Sequence, residues 1–267
     1  MRGRALALYG ALGLVFTFLY LPITLMMIFS FNASRLVTVW GGFSTKWYFE
    51  LVRDEKVLDA AWLSLQVAVM NASIATVLGT LAAVVLVRFG RFSGRTLFTG
   101  MVAAPLVMPE IITGLAMLLL FVGMEHTLGW PAGRSMTTIV IAHVTFSMSF
   151  VTVVVRSRLG DMDISLEEAA MDLGARPGKV FFAITLPIIA PALLAGWLLA
   201  FTLSIDDVVI SAFVSGPGAT PLPIVIFSKV RLGVSPEINA LATVVVVVVG
   251  LAMALAGRVI LAREKRR

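Results

Sequence analysis

The stretch SLEEAAMDLGARPGKVFFAITLP, Ser165–Pro187, combines acids, alanines, glycine and proline at spacings that suit a helix built to be gripped. Ser165 followed by Glu168 has the spacing of a capping box, in which a hydroxyl and a carboxylate satisfy unpaired backbone donors, so a helix is predicted to start at Ser165. Glu167 and Glu168 suit the positive end of that helix, Gly174 suits the left-handed residue that closes it, and Pro177 suits the start of a second one. Ala169 and Ala170 carry almost no side chain, so the backbone there can enter a groove that larger residues would block. The plain alternative is a solvated linker helix. The cap, the small residues, the glycine stop and the later Leu-Pro entry into an apolar run together favour docking.

A second set of residues suits the handling of a cation. Charges inside apolar spans are expensive and usually functional. Glu110 lies between PLVMP and IITGL with no basic residue near it in sequence, and Asp206 and Asp207 follow an apolar run whose helix dipole they would oppose. The two aspartates could instead cap the next short helix. Aromatic faces at Trp47 and Tyr48, with Trp40 behind them, would complement such acids through cation–π contact. Trp62 and Trp130 read as interfacial anchors.

The elements that must hold these residues follow from composition. Of 267 residues 59% are hydrophobic and 13% charged, and the mean hydropathy is +0.99, which describes a membrane protein. Runs long enough to span a bilayer occupy 5–31, 60–87, 97–124, 137–155, 188–204 and 238–259. The predicted fold is therefore an all-α membrane protein of six transmembrane helices, the first an uncleaved span rather than a signal peptide. Fourteen of the 21 Lys and Arg fall on one side of this arrangement: Arg2 and Arg4; Arg88, Arg91 and Arg95; Arg156, Arg158, Arg176 and Lys179; and Arg258, Arg263, Lys265, Arg266 and Arg267. The positive-inside rule then makes both termini cytoplasmic and places 156–187, between the fourth and fifth spans, in the cytoplasm. The outer stretches 32–59 and 205–237 are too aromatic or too apolar to be plain connectors, and the second is expected to pack back on the bundle.

Several chemistries are excluded. The net charge of +6 comes from clusters between apolar runs, which sets nucleic-acid binding aside. There are no cysteines, and His126 and His143 are too few and too far apart for a metal site. Each histidine reads as a loop or helix-packing residue. GARPGKV is one residue short between its glycines for a phosphate-binding loop and lacks the hydroxyl that would hold magnesium, so this chain is not expected to hydrolyse ATP. An intramembrane enzyme has little to work with. Pro105, Pro109, Gly114, Pro187, Pro191 and Gly196 interrupt the third and fifth spans, where freed backbone groups survive only inside protein or along a wet cavity, so those two spans are expected to wall a pathway.

The order Glu168, Ala169, Ala170, three residues, Gly174, nine residues, Ile184, Thr185, Leu186, Pro187 resembles the EAA motif of ABC importer permeases, with no position departing from it. VLVRFGRF, APLVMPEIITGL and GWLLAFTLSIDDVVISAFVSGPGATPLPIVIFSKVRLGVSPEINALAT extend the resemblance over nearly the whole chain, towards polyamine importers and most closely the putrescine ones. Glu110 departs from the aspartate of many such relatives. The resemblance implies one inner-membrane permease domain over 1–267, whose Glu168, Ala169, Ala170 and Gly174, with Glu167 and Asp172 beside them, contact an ATPase. It also implies a homologous second permease, an ATPase dimer that binds ATP and magnesium, and a periplasmic polyamine-binding protein, with no cofactor in this chain and transport by alternating access. The competing expectations are another cargo such as thiamine or iron, or an ion-coupled transporter.

Overall fold

The computed structural model describes residues 2–36, 39–233 and 236–264; Lys265, Arg266 and Arg267 of the last basic cluster lie outside them. In chain order the helices are α1 (Arg2–Phe29), α2 (Lys46–Arg53), α3 (Glu55–Arg88), α4 (Arg95–Val107), α5 (Glu110–Leu128), α6 (Met136–Gly160), α7 (Ser165–Asp172), α8 (Pro177–Val180), α9 (Leu186–Ile205), α10 (Val209–Val214), α11 (Leu222–Leu232) and α12 (Pro236–Glu264). A π-helical segment, Phe181–Thr185, joins α8 to α9. The only β pairing among the described residues is two isolated bridges. Among the described residues, five apolar helices are long enough to cross a membrane: Tyr9–Phe29, Glu55–Arg88, Glu110–Leu128, Met136–Gly160 and the continuous run Pro177–Ile205. Arg95–Val107 and Pro236–Val248 are shorter apolar helices.

The third expected span, 97–124, is not one helix. Met108 and Pro109 are both extended, with ψ of 136° at each, and they separate α4 from α5. Pro109 excludes helical geometry from the residue before it and has no N–H to continue the ladder. The hydropathy runs on unbroken across this point, so composition alone hides the break.

Two compact units divide the chain, Met1–Leu58 with Ile226–Arg267, and Asp59–Val225. In the first, α1 and α2 pack on α12. The loop before α2 is built on Asn32, which is fully buried. Its amide donates to Val39 O at 2.7 Å, and its Oδ1 accepts from Gly41 N at 2.8 Å and Ser34 N at 3.1 Å. Lys229 donates to Asp54 and to Glu237, each at 2.7 Å, and so ties the chain before α3 to the first turn of α12.

In the second unit α6 is the most enclosed helix, with α4, α5, α9 and α10 against it. Close approach is set by small residues. A Cβ on Gly79 of α3 would stand 2.8 Å from the Val151 Cβ of α6, and one on Gly196 of α9 would stand 3.2 Å from Val151 Cγ1. Helices α3 and α9 therefore clasp α6 at a single valine. Asn71 of α3, fully buried, crosses the same seam, donating to Ser147 Oγ at 3.1 Å and Ala200 O at 2.8 Å. Part of the long stretch 205–237 returns to this core as expected. Ile210 and Val214 are buried with Phe121, Ile139 and Phe146, the Thr138 hydroxyl donates to Val214 O at 2.8 Å, and Leu222 N donates to Ser64 Oγ at 2.7 Å.

Candidate functional site

Helix α7 starts at Ser165, but not by the predicted device. The Ser165 N–H donates to Asp163 Oδ1 at 3.0 Å, and no Ser165–Glu168 box forms. Asp163 is the acid before the first turn, and this hydrogen bond holds its carboxyl below the usual aspartate value. A short turn from α6 leaves Asp163 where an Asx-type turn reaches the start of α7, so the cap comes from two residues upstream. The other end matches expectation. Gly174 has φ of +86°, Ala175 N donates to Ala170 O at 3.0 Å, and Gly174 N donates to Met171 O at 2.8 Å. That pair of bonds is a Schellman close. Pro177 opens α8.

The faces of α7 differ. Glu168, Ala169, Asp172 and Gly174 are exposed, and Ala170 is half-buried. Leu173 stands 90% exposed beside Gly174, and Leu166 and Met171 are exposed too. Leu166 and Leu173 are docking candidates that the EAA motif passes over, their signal being the i, i+7 spacing of apolar residues on one face of a charged helix. Glu167 points the other way. Its Oε2 lies 2.9 Å from Arg88 Nε at the end of α3, and its Oε1 accepts from the Thr185 hydroxyl at 2.6 Å. Behind this ion pair is a cavity of about 300 Å³, walled by Val84, Leu159, Met171, Val180 and Phe181 among others.

The π segment has a local cause. Pro187, the second residue of α9, brings no N–H and its ring crowds the preceding turn. The ladder widens ahead of it, and Leu186 N donates to Phe181 O, five residues back.

The pathway candidates separate into different roles. Glu110 is not a charge within a continuous span: it is the first residue of α5, exposed, where a carboxylate complements the helix dipole. Asp206 ends α9 with its side chain exposed. Asp207 is half-buried, with 8% of its side chain exposed, and caps α10, its oxygens accepting from Ile210 N at 3.2 Å and Ser211 N at 2.7 Å. It also lies 3.1 Å from His143 Nε2, while His143 Nδ1 lies 2.7 Å from Ser204 Oγ. His143 is thus a packed helix residue, and its network joins α6, α9 and α10. Trp47 and Tyr48 belong to the other unit. Trp47 is only 5% exposed, its indole N–H donates to Asn32 O at 2.6 Å, and Lys46 Nζ sits 4.3 Å from its ring centroid. Tyr48 OH shares a 2.6 Å hydrogen bond with Ser30 Oγ. Both aromatics are engaged within their own unit.

Residues 75–267 match the family described as the binding-protein-dependent transport system inner membrane component. The chain is 60% identical over 252 residues to the putrescine transport system permease protein PotI of Escherichia coli K12, covering 94% of this chain and 90% of that protein. It is 42% identical over 258 residues to the spermidine/putrescine transport system permease protein PotC of the same organism, covering 97% and 94%. Among solved structures, a bacterial ABC transporter involved in the import of the acidic polysaccharide alginate superposes with a TM-score of 0.74 at 16% identity, covering 96% of each chain.

Proposed function

Because this chain belongs to the inner membrane components of binding-protein-dependent transport systems, we propose that it is the permease subunit of an ATP-driven importer that takes putrescine from a periplasmic binding protein and releases it into the cytoplasm. The cargo reading is supported by the 60% identity to a putrescine permease across nearly the full length of both proteins. The energetic reading is supported by α7, an exposed helix closed at a left-handed glycine and offering Glu168, Ala169, Asp172 and Leu173 to a partner.

In this reading six spans cross the inner membrane, with α4 and α5 together making the third, and both termini face the cytoplasm. A homologous permease pairs with the chain, and an ATPase dimer that binds ATP and magnesium grips α7 from below. Alternating access follows when that grip changes shape with nucleotide. Along the path, Glu110 and Asp206 are the acids left free to meet a cation, because Asp207 is occupied by α10 and His143. Exposed carboxylates at helix ends suit an alkyl diammonium, whose charges need separate partners.

The observation that carries the proposal is the outward face of α7 in a chain so similar to a putrescine permease. Reconstitution of the complete complex in vesicles tests it: ATP-dependent uptake of labelled putrescine is expected, with spermidine, thiamine and ferric iron as comparisons. Uptake that persists without ATP, or that prefers thiamine or iron, overturns it.

A further inference from the structure

Glu167 sits in the docking helix but does not face outward, and its two partners lie on different membrane helices. Arg88 is the last residue of α3, where a cation suits the helix dipole, and its guanidinium meets Glu167 Oε2 at 2.9 Å and Oε1 at 3.3 Å. Thr185, buried at the end of the π segment, donates to Glu167 Oε1 at 2.6 Å. The carboxylate thus receives donors from both sides, and the pair is mostly shielded, with 17% and 13% of the two side chains exposed.

Little else fixes α7. It is eight residues long and contains no buried residue, so it has neither the length to stand alone nor an apolar face that locks it down. Below it lies the open cavity rather than packed side chains. The segment that ends at Thr185 is a π turn, a widened stretch of helix of a kind frequent at functional sites. Further along from these ends, α3 and α9 clasp α6 at Val151 through Gly79 and Gly196.

We propose that Arg88, Glu167 and Thr185 form a latch that makes α7 move as one body with the ends of α3 and α9, so that displacement of the docking helix is delivered to both membrane helices at once. They are positioning residues, with no role in contacting cargo or nucleotide. The inference rests on the reading of α7 as the ATPase contact. Without the latch, α7 would swing into the cavity behind it, and the ATPase would turn over without moving the bundle.

The test uses the complete complex in vesicles and reads putrescine taken up per ATP hydrolysed. Arg88→Gln, Glu167→Gln and Thr185→Val are each expected to lower that ratio about tenfold, while the ATPase subunit still co-purifies. The double variant Arg88→Gln/Glu167→Gln should be no worse than either single one, and the exchanged pair Arg88→Glu/Glu167→Arg should recover at least a third of the ratio. An unchanged ratio, uptake and hydrolysis falling in proportion, or losses that multiply in the double variant would each overturn the latch. Glu168→Lys separates this from the underlying reading: if it leaves both co-purification and uptake intact, the docking role of α7 fails, whatever the latch variants do.

Discussion

Glu167 and Glu168 are adjacent acids with opposite settings, and so are Asp206 and Asp207. In each pair one carboxylate is spent inside the protein and the other is left outside. Asp207→Ala strips the acceptor from two backbone N–H groups and from His143, and is expected to cost on the order of 2–3 kcal/mol or more of stability, visible as earlier thermal unfolding in detergent. Asp206→Asn should leave unfolding unchanged and lower putrescine uptake severalfold; an equal effect of both substitutions on unfolding would contradict this division. A third acid gives a pH dependence. The Lys229 ammonium donates to Asp54 and holds its carboxyl below the usual value of 3.8. Its contribution to stability is therefore complete above that value and lost as pH falls through the lower value of the folded state. Unfolding followed from pH 6 downwards should show this loss in the natural protein and not in Lys229→Met. The cap of α10 was open to sequence reading as one use of the aspartates, but the partnerships across helices were not legible, because Glu167 lies 79 residues from Arg88 and Asp207 lies 64 from His143.

Helices were more legible than their joints. The start of α7 at Ser165 and its stop at Gly174 follow from local signals, and both appear, although Asp163 supplies the cap. Pro109 was legible as an interruption of the third span, but the continuous hydropathy around it hid that it separates two helices, and with that the placing of Glu110 at a helix start rather than inside a span. The π segment was hidden for another reason: its cause, Pro187, lies two residues beyond its end and reads locally as a good helix opening. Pro187→Ala restores the missing donor and should leave the fold intact while reducing uptake, if the widened turn must re-register during the cycle; wild-type uptake in that variant would make the π turn ornamental. The clasp at Val151 makes a packing prediction. Gly79→Val would drive its side chain into Val151 and Met148 O, and a loss of about 1–3 kcal/mol is expected from thermal unfolding.

At the scale of the molecule, composition was sufficient for a helical membrane protein, and the EAA spacing for its family, which residues 75–267 match. Orientation is a separate matter, resting on the distribution of Lys and Arg. The absence of cysteine makes it testable: Asp172→Cys should react with an impermeant thiol reagent only from the cytoplasmic side, and Arg134→Cys only from the periplasmic side. The reverse pattern would invert the proposed topology.

Leu173, almost wholly uncovered at the tip of α7, bears on how such a subunit is best produced. In the proposed topology, the subunit synthesised alone would leave a greasy knob standing in the cytosol, ready to stick to copies of itself. Co-production with the ATPase should therefore raise the yield of monodisperse material, and Leu173→Ser should bring part of the same gain when the subunit is made by itself.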